Sequence, residues 1–130
     1  MPTKANDNLS VNGVYSSMAW ITVAETKAFS AQAKSRLTDA ETADLIAMLA
    51  RDPACGDVIP GTGGLRKVRV RLAGRGKRGG ARVIYYFYNE TLPVFLLAVF
   101  AKSERADLTA SERAGLAKVA EAIRVGYGRR

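Results

Sequence analysis

The sequence predicts an α+β domain, a small twisted antiparallel β-sheet packed against helices in the order β-α-α-β-β-β-α. Three observations carry this. Residues 65–73 alternate between apolar and basic with a period of two, which a strand produces and a helix does not. Residues 94–101, VFLLAVFA, are apolar at every position, as in a central strand covered on both faces. Two capping boxes, Thr38 with Glu41 and Thr109 with Glu112, open amphipathic runs in the two outer parts of the chain.

Residues 1–17 are polar and rich in Asn and Ser, and are expected to be a flexible N-terminal extension, with a short ordered arm as the rival reading. Met18 then opens MAWITVAETKAF, which reads as a natural and sufficient domain start. Residues 18–125 form the expected domain, and 126–130 a short basic tail. Residues 19–23 read as a first strand through Trp20, Ile21 and Val23. Residues 25–37 read as a helix, with Lys27, Gln32, Lys34 and Arg36 around Phe29, Ala33 and Leu37. The Thr38 box starts a second helix with Leu45, Ile46 and Leu49 on its apolar side, and Asp52-Pro53 stops it.

Residues 53–64 are a turn-rich connection holding Pro53, Gly56, Pro60, Gly61, Gly63 and Gly64. In the strand that follows, Val68, Val70 and Leu72 share one face while Lys67, Arg69 and Arg71 share the other. Arg66 points with the valines by the same alternation. Residues 74–80, GRGKRGG, read as a basic hairpin loop, and 82–88 as an aromatic and β-branched strand. A tight connection at 89–93 leads into the apolar strand, with Lys102 at its end. Leu116, Val119, Ala120 and Ile123 fall at i, i+3, i+4 and i+7 of a last helix. No repeat or linker divides the 130 residues, a length suited to one domain.

The charge is concentrated. Residues 61–88 hold Arg66, Lys67, Arg69, Arg71, Arg75, Lys77, Arg78 and Arg82, and no Asp or Glu lies between Asp57 and Glu90. Those eight cations equal the net charge of +8, because the other twelve match the twelve acids of the chain. A one-signed field of this kind attracts a polyanion. A bilayer is a poorer fit, since the stretch is not an amphipathic helix and no apolar run nears the ~20 residues of a span. The first residues lack an apolar signal-like region, so secretion is not expected. Cys55 is alone and forms no internal disulfide, in keeping with a cytoplasmic location.

There is no histidine. That excludes a His acid/base pair, a Ser-His triad and a Cys-His dyad, and leaves chemistry to Lys, Arg, Tyr, Asp and Glu. With one Cys and no His, neither a metal nor another cofactor is expected. The GTGG segment at 61–64 lacks P-loop spacing and reads as a turn.

The string GDVIPGTGGLRKVRVRLAGRGKRGGARVIYYFYN, followed by LLAVFAKSERADLT, resembles toxins of bacterial type II toxin–antitoxin systems, in the HigB-type group of the RelE superfamily. The resemblance runs from about Ala19 to Ile123 and implies the RelE-like toxin fold. It also implies a ribosome-dependent endoribonuclease that cuts translated mRNA in the A site. The implied partners are the ribosome, mRNA and a cognate antitoxin, typically an adjacently encoded helix-turn-helix protein. Operator DNA would be reached only through that antitoxin. Two alternatives stand beside this: a translation inhibitor that binds RNA or ribosomes without cutting, and a component of an autorepressor complex.

Internal cleavage of RNA needs the 2′-OH deprotonated, the phosphorane stabilised and the 5′-oxygen protonated. The phosphorane carries more negative charge than the diester, so placed Arg and Lys groups favour it, and no metal is needed. By position in the motif, the resemblance makes Lys67 and Arg69 a phosphate clamp and candidate base. It sets Arg82 on the scissile phosphate, and Lys102 as charge stabiliser or proton donor to the leaving group. Arg66, Arg71, Arg75, Lys77 and Arg78 are expected to bind RNA, and Tyr86 to stack on a base. Each has a plainer rival: a solvated strand face, core packing for the tyrosines, a Lys102 that snorkels or pairs with Glu104.

Overall fold

In a computed structural model, the structure describes residues 11–17, 20–72 and 80–128. A six-stranded sheet is held between two layers of helix. The strands are β1 (Val11–Ser17), β2 (Trp20–Thr26), β3 (Asp57–Val58), β4 (Leu65–Arg71), β5 (Gly80–Tyr86) and β6 (Val94–Ala101). The helices are α1 (Lys27–Ala33), α2 (Asp39–Arg51) and α3 (Ala110–Gly128). The sheet order is β1-β2-β6-β5-β4-β3.

The architecture is the expected α+β one, with the β4-β5-β6 meander antiparallel throughout. The sheet as a whole is mixed, because β6 lies parallel to β2, with Val23 opposite Val94 and Glu25 opposite Leu96. The helices α1 and α2 carry the chain across one face after β2. The returning meander then slots β6, the most apolar strand, into the centre beside a strand running the same way. Its first seven residues are buried, as a strand covered on both sides requires.

The two faces of the sheet have separate cores. Beneath α1 and α2, Phe29, Leu45 and Leu49 pack on Val83, Tyr85, Leu96 and Val99, with Val68 and Val70 at the margin. Beneath α3, Ala120 and Ile123 pack with Leu65, Ile84, Tyr86, Phe95 and Phe100. Both faces of β5 and β6 are thus desolvated, and alternation along β4 assigns Val68 and Val70 to the first face and Leu65 to the second.

Local rules set the helix starts. Thr38 accepts from the Glu41 amide at 3.0 Å and its own amide donates to the Glu41 carboxylate at 2.9 Å. Thr109 and Glu112 make the same reciprocal pair. The first helix starts two residues later than expected, because Glu25 belongs to β2 and Thr26 is the cap, accepting from the Phe29 amide. The Thr26 hydroxyl also donates to the Leu96 carbonyl at 2.7 Å. Beyond Leu96 no β2 residue pairs with β6, and there the Gln32 side chain of α1 accepts from the Val99 amide. Two side chains thus finish the ladder where β2 turns into helix.

Two strands depart from the sequence expectation. Residues 11–17, expected as part of a flexible extension, form β1 and pair antiparallel with β2, from Val11 opposite Thr26 to Ser17 opposite Trp20. Two register shifts interrupt that ladder, so the segment lacks the clean alternation that marks a strand in sequence. The two-residue β3 pairs Asp57 with Lys67 and Val58 with Arg66, too short for any pattern.

β1 covers what would otherwise be the open edge of β2. A chain started at Met18 is expected to melt ~5 °C or more below the full chain and to self-associate. Differential scanning calorimetry with analytical ultracentrifugation checks both.

Candidate nucleic-acid interface

The strand β4 brings its cations to one face by pleat alone. Leu65 lies in the α3 core, so Lys67, Arg69 and Arg71 follow it onto that face. The facing strand agrees: Ile84 and Tyr86 sit under α3, and Arg82 shares their side. Register then builds three rows across the sheet. Lys67 is opposite Ile84, which is opposite Ala98. Arg69 is opposite Arg82, which is opposite Phe100. Arg71 is opposite Gly80, whose carbonyl accepts from the Lys102 amide at 2.9 Å.

Lys67, Arg69 and Arg82 line one open groove of about 320 Å³ with Cys55, Gly56 and Asp57. Lys102 does not line it; it stands exposed one row further on, at the same end of the sheet. No ion pair or side-chain hydrogen bond engages these four cations among the described residues. The Nε of Arg82 is buried and has no hydrogen-bond partner. A guanidinium donor held out of water without an acceptor is costly, and a phosphate oxygen would relieve that cost. Among the described residues no group of three or more carboxylate or thiol side chains has the proximity to hold a metal ion.

Two of the expected RNA-binding residues are used elsewhere. Arg66 points to the α1/α2 side, as alternation requires, and its Nη1 donates to the carbonyls of Gly56 at 2.7 Å and Ala54 at 3.1 Å. It anchors the loop before β3. Tyr86 does share the face of Arg82, but its ring is 1% exposed in the core beneath α3 and stacks on Tyr88. Its hydroxyl accepts from Arg124 of α3 at 3.2 Å. A ring so covered is closed to a base, and the helix that covers it is 38 residues away in sequence. Arg75, Lys77 and Arg78 lie outside the described residues.

Supports flank the cations on both sides. On the β3 side, the Tyr85 hydroxyl donates to the Pro53 carbonyl and accepts from the Gly56 amide, both at 2.8 Å. Burial pushes that phenol well above its ordinary value, so it stays protonated as the donor. Gly56 fits closely here, since a Cβ would meet the Lys67 carbonyl at 2.7 Å. On the other side, Glu104 does not pair with Lys102. Its carboxylate takes a two-bond grip on Arg36, both at 2.8 Å, and accepts from the Ala101 amide at 2.7 Å. The Arg36 guanidinium, helped by that amide, pulls the carboxyl down to about 2. The turn that carries Lys102 is therefore tied to the end of the first helix, and the ammonium is left free.

Sequence reasoning missed Arg105. Its guanidinium lies 4.8 Å from the Phe100 ring centre, and Phe100 is the register neighbour of Arg82. Glu112 holds it in place by an ion pair at 2.6 Å. It comes from a loop, where no periodicity signals a face.

Tyr85→Phe is expected to lose about 1–3 kcal/mol of stability, since it strands a buried amide and leaves a part-buried carbonyl without its donor; urea denaturation reads this. Glu104→Gln has a pH signature. The native carboxyl is held below its ordinary 4.5, so the stabilisation is complete above that value and is lost as pH falls towards 2. The urea midpoints of wild type and Glu104→Gln should differ at pH 7 and converge in that acid window.

A family model described as the RelE toxin of the RelE/RelB toxin–antitoxin system matches residues 21–125. The match takes in the whole meander, α1, α2, all but the end of α3 and every residue of the groove. The chain belongs to the RelE toxin family, the toxin half of a toxin–antitoxin pair.

Proposed function

We propose that the chain is a HigB-type endoribonuclease that cuts mRNA on the ribosome and so stops translation. The observation that supports this best is the set of uncommitted cations on one sheet face, with Arg69 and Arg82 in direct register and Lys67 in the same groove. A fixed array of guanidinium and ammonium groups stabilises the extra charge of a phosphorane more than it stabilises the diester. Arg82 holds the scissile phosphate, and its free Nε supplies one donor. Lys67 and Arg69 clamp the same or the neighbouring phosphate. Lys102, at the open end of the face, protonates the 5′-oxygen as it leaves. Arg71, and with it Arg75, Lys77 and Arg78, serve docking on ribosomal RNA. No metal enters this scheme.

The antitoxin partner is a helix-turn-helix protein encoded beside the toxin, and operator DNA is bound through it. The site of action is the cytoplasm, where translated message is found. No helix among the described residues is long and apolar enough to cross a membrane.

Expression of the chain alone, with transcript 5′ ends mapped, tests the reading. New ends inside coding regions are expected. Arrest without new ends would make the chain a blocker of ribosomes instead. Arg82→Ala should abolish the new ends while the thermal transition stays within a few degrees of wild type. Because phosphate contacts release counterions, ribosome association should also fall steeply between about 50 and 200 mM salt.

A further inference from the structure

Among the described residues, one acid lines the groove. Asp57 lines it together with Lys67, Arg69 and Arg82. Asp57 is the direct register partner of Lys67 across β3 and β4, so the two side chains leave the same face of the sheet. Its carboxylate makes no ion pair or hydrogen bond within the described residues. The loop that precedes it is held by two neighbouring side chains, Tyr85 to Pro53 and Gly56 and Arg66 to Ala54 and Gly56.

We infer that Asp57 is the general base that accepts the 2′-OH proton in RNA cleavage. This rests on the endoribonuclease reading above. The chemistry calls for an acceptor, and an ammonium or guanidinium has donors only. Of the other groove-lining side chains, the Cys55 thiol is pushed up by desolvation and is a weak acceptor. Among the described groove-lining side chains, Asp57 alone brings free carboxylate lone pairs. Strand and row spacings put its Cα about 8 Å from that of Arg69 and about 12 Å from that of Arg82. Asp57 therefore borders, from the β3 edge, the same groove that the two arginines line.

The step balances without another reactant. The 2′-oxygen passes its proton to the Asp57 carboxylate as the O2′–P bond forms. The P–O5′ bond breaks, and the 5′-oxygen takes a proton from Lys102. A 2′,3′-cyclic phosphate and a 5′-hydroxyl remain. Lys67 is thereby a clamp and not the base.

Single-turnover cleavage of ribosome-bound mRNA by the full chain tests the assignment. Asp57→Asn should slow cutting by about 10²–10⁴-fold while ribosome binding stays within twofold, and Asp57→Glu should recover at least tenfold of that loss. A substrate with sulfur in place of the bridging 5′-oxygen needs no leaving-group proton, so it should rescue Lys102→Ala and leave Asp57→Asn slow. Cutting by Asp57→Asn within threefold of wild type, or its full rescue by the sulfur substrate, overturns the inference while the nuclease reading stands. A wild-type chain that never cuts overturns both.

Discussion

Arg69 and Arg82 face one another across β4 and β5. Like charges directly opposite in an antiparallel pair oppose the pairing that holds them. The strands must be kept together by something else, and the apolar surroundings supply it. One residue either side of Arg82, Ala81 and Val83 are fully buried in the α1/α2 core, and Ile84 is fully buried beneath α3. The repulsion is therefore built into a strand whose other residues have no alternative place. An anion laid across the pair would offset that repulsion without moving a strand.

The same logic explains how charge is distributed over the rest of the surface. Arg36 has Glu104, Arg105 has Glu112, and Arg66 and Arg124 have carbonyls. These cations are used to fix turns and loops. Lys67, Arg69, Arg82 and Lys102 have no such partner among the described residues. Ion pairs and carbonyls thus engage cations of turns, loops and α3, while the cations that line the groove keep their charge unneutralised.

Much of this was legible in sequence because the rules involved are local. Period two along residues 65–71 put Arg66 opposite to Lys67 and Arg69, and the capping boxes marked the starts of α2 and α3. What sequence concealed is set by distant partners. The parallel pairing of β6 with β2 depends on where the meander closes, and VFLLAVFA has no polar residue to reveal a direction. Tyr86 and Arg82 have the same parity, yet α3 covers one and leaves the other half-buried. Asp57 sits in two residues of strand, too few for periodicity, and only pairing with Lys67 gives it a face.

A single extra residue in β6 shows how fine the dependence is. Opposite β5, Ile84 pairs with Ala98 and Tyr85 with Leu96, so Leu97 has no partner. Leu96 packs beneath α1 and α2, whereas both Leu97 and Ala98 pack beneath α3. The bulge reverses parity for the remainder of the strand. Without it Val99 would stand beside Arg82, and Phe100 would turn to the opposite core. With it Phe100 extends the Arg69–Arg82 row and provides the ring on which Arg105 rests. Lys102 follows Phe100 by two residues and is pinned to Gly80 by its amide, at the same end of the face. The position of Lys102 at the cationic end of the sheet thus rests on a backbone irregularity five residues earlier, in a stretch whose uniform apolarity gives no sign of it.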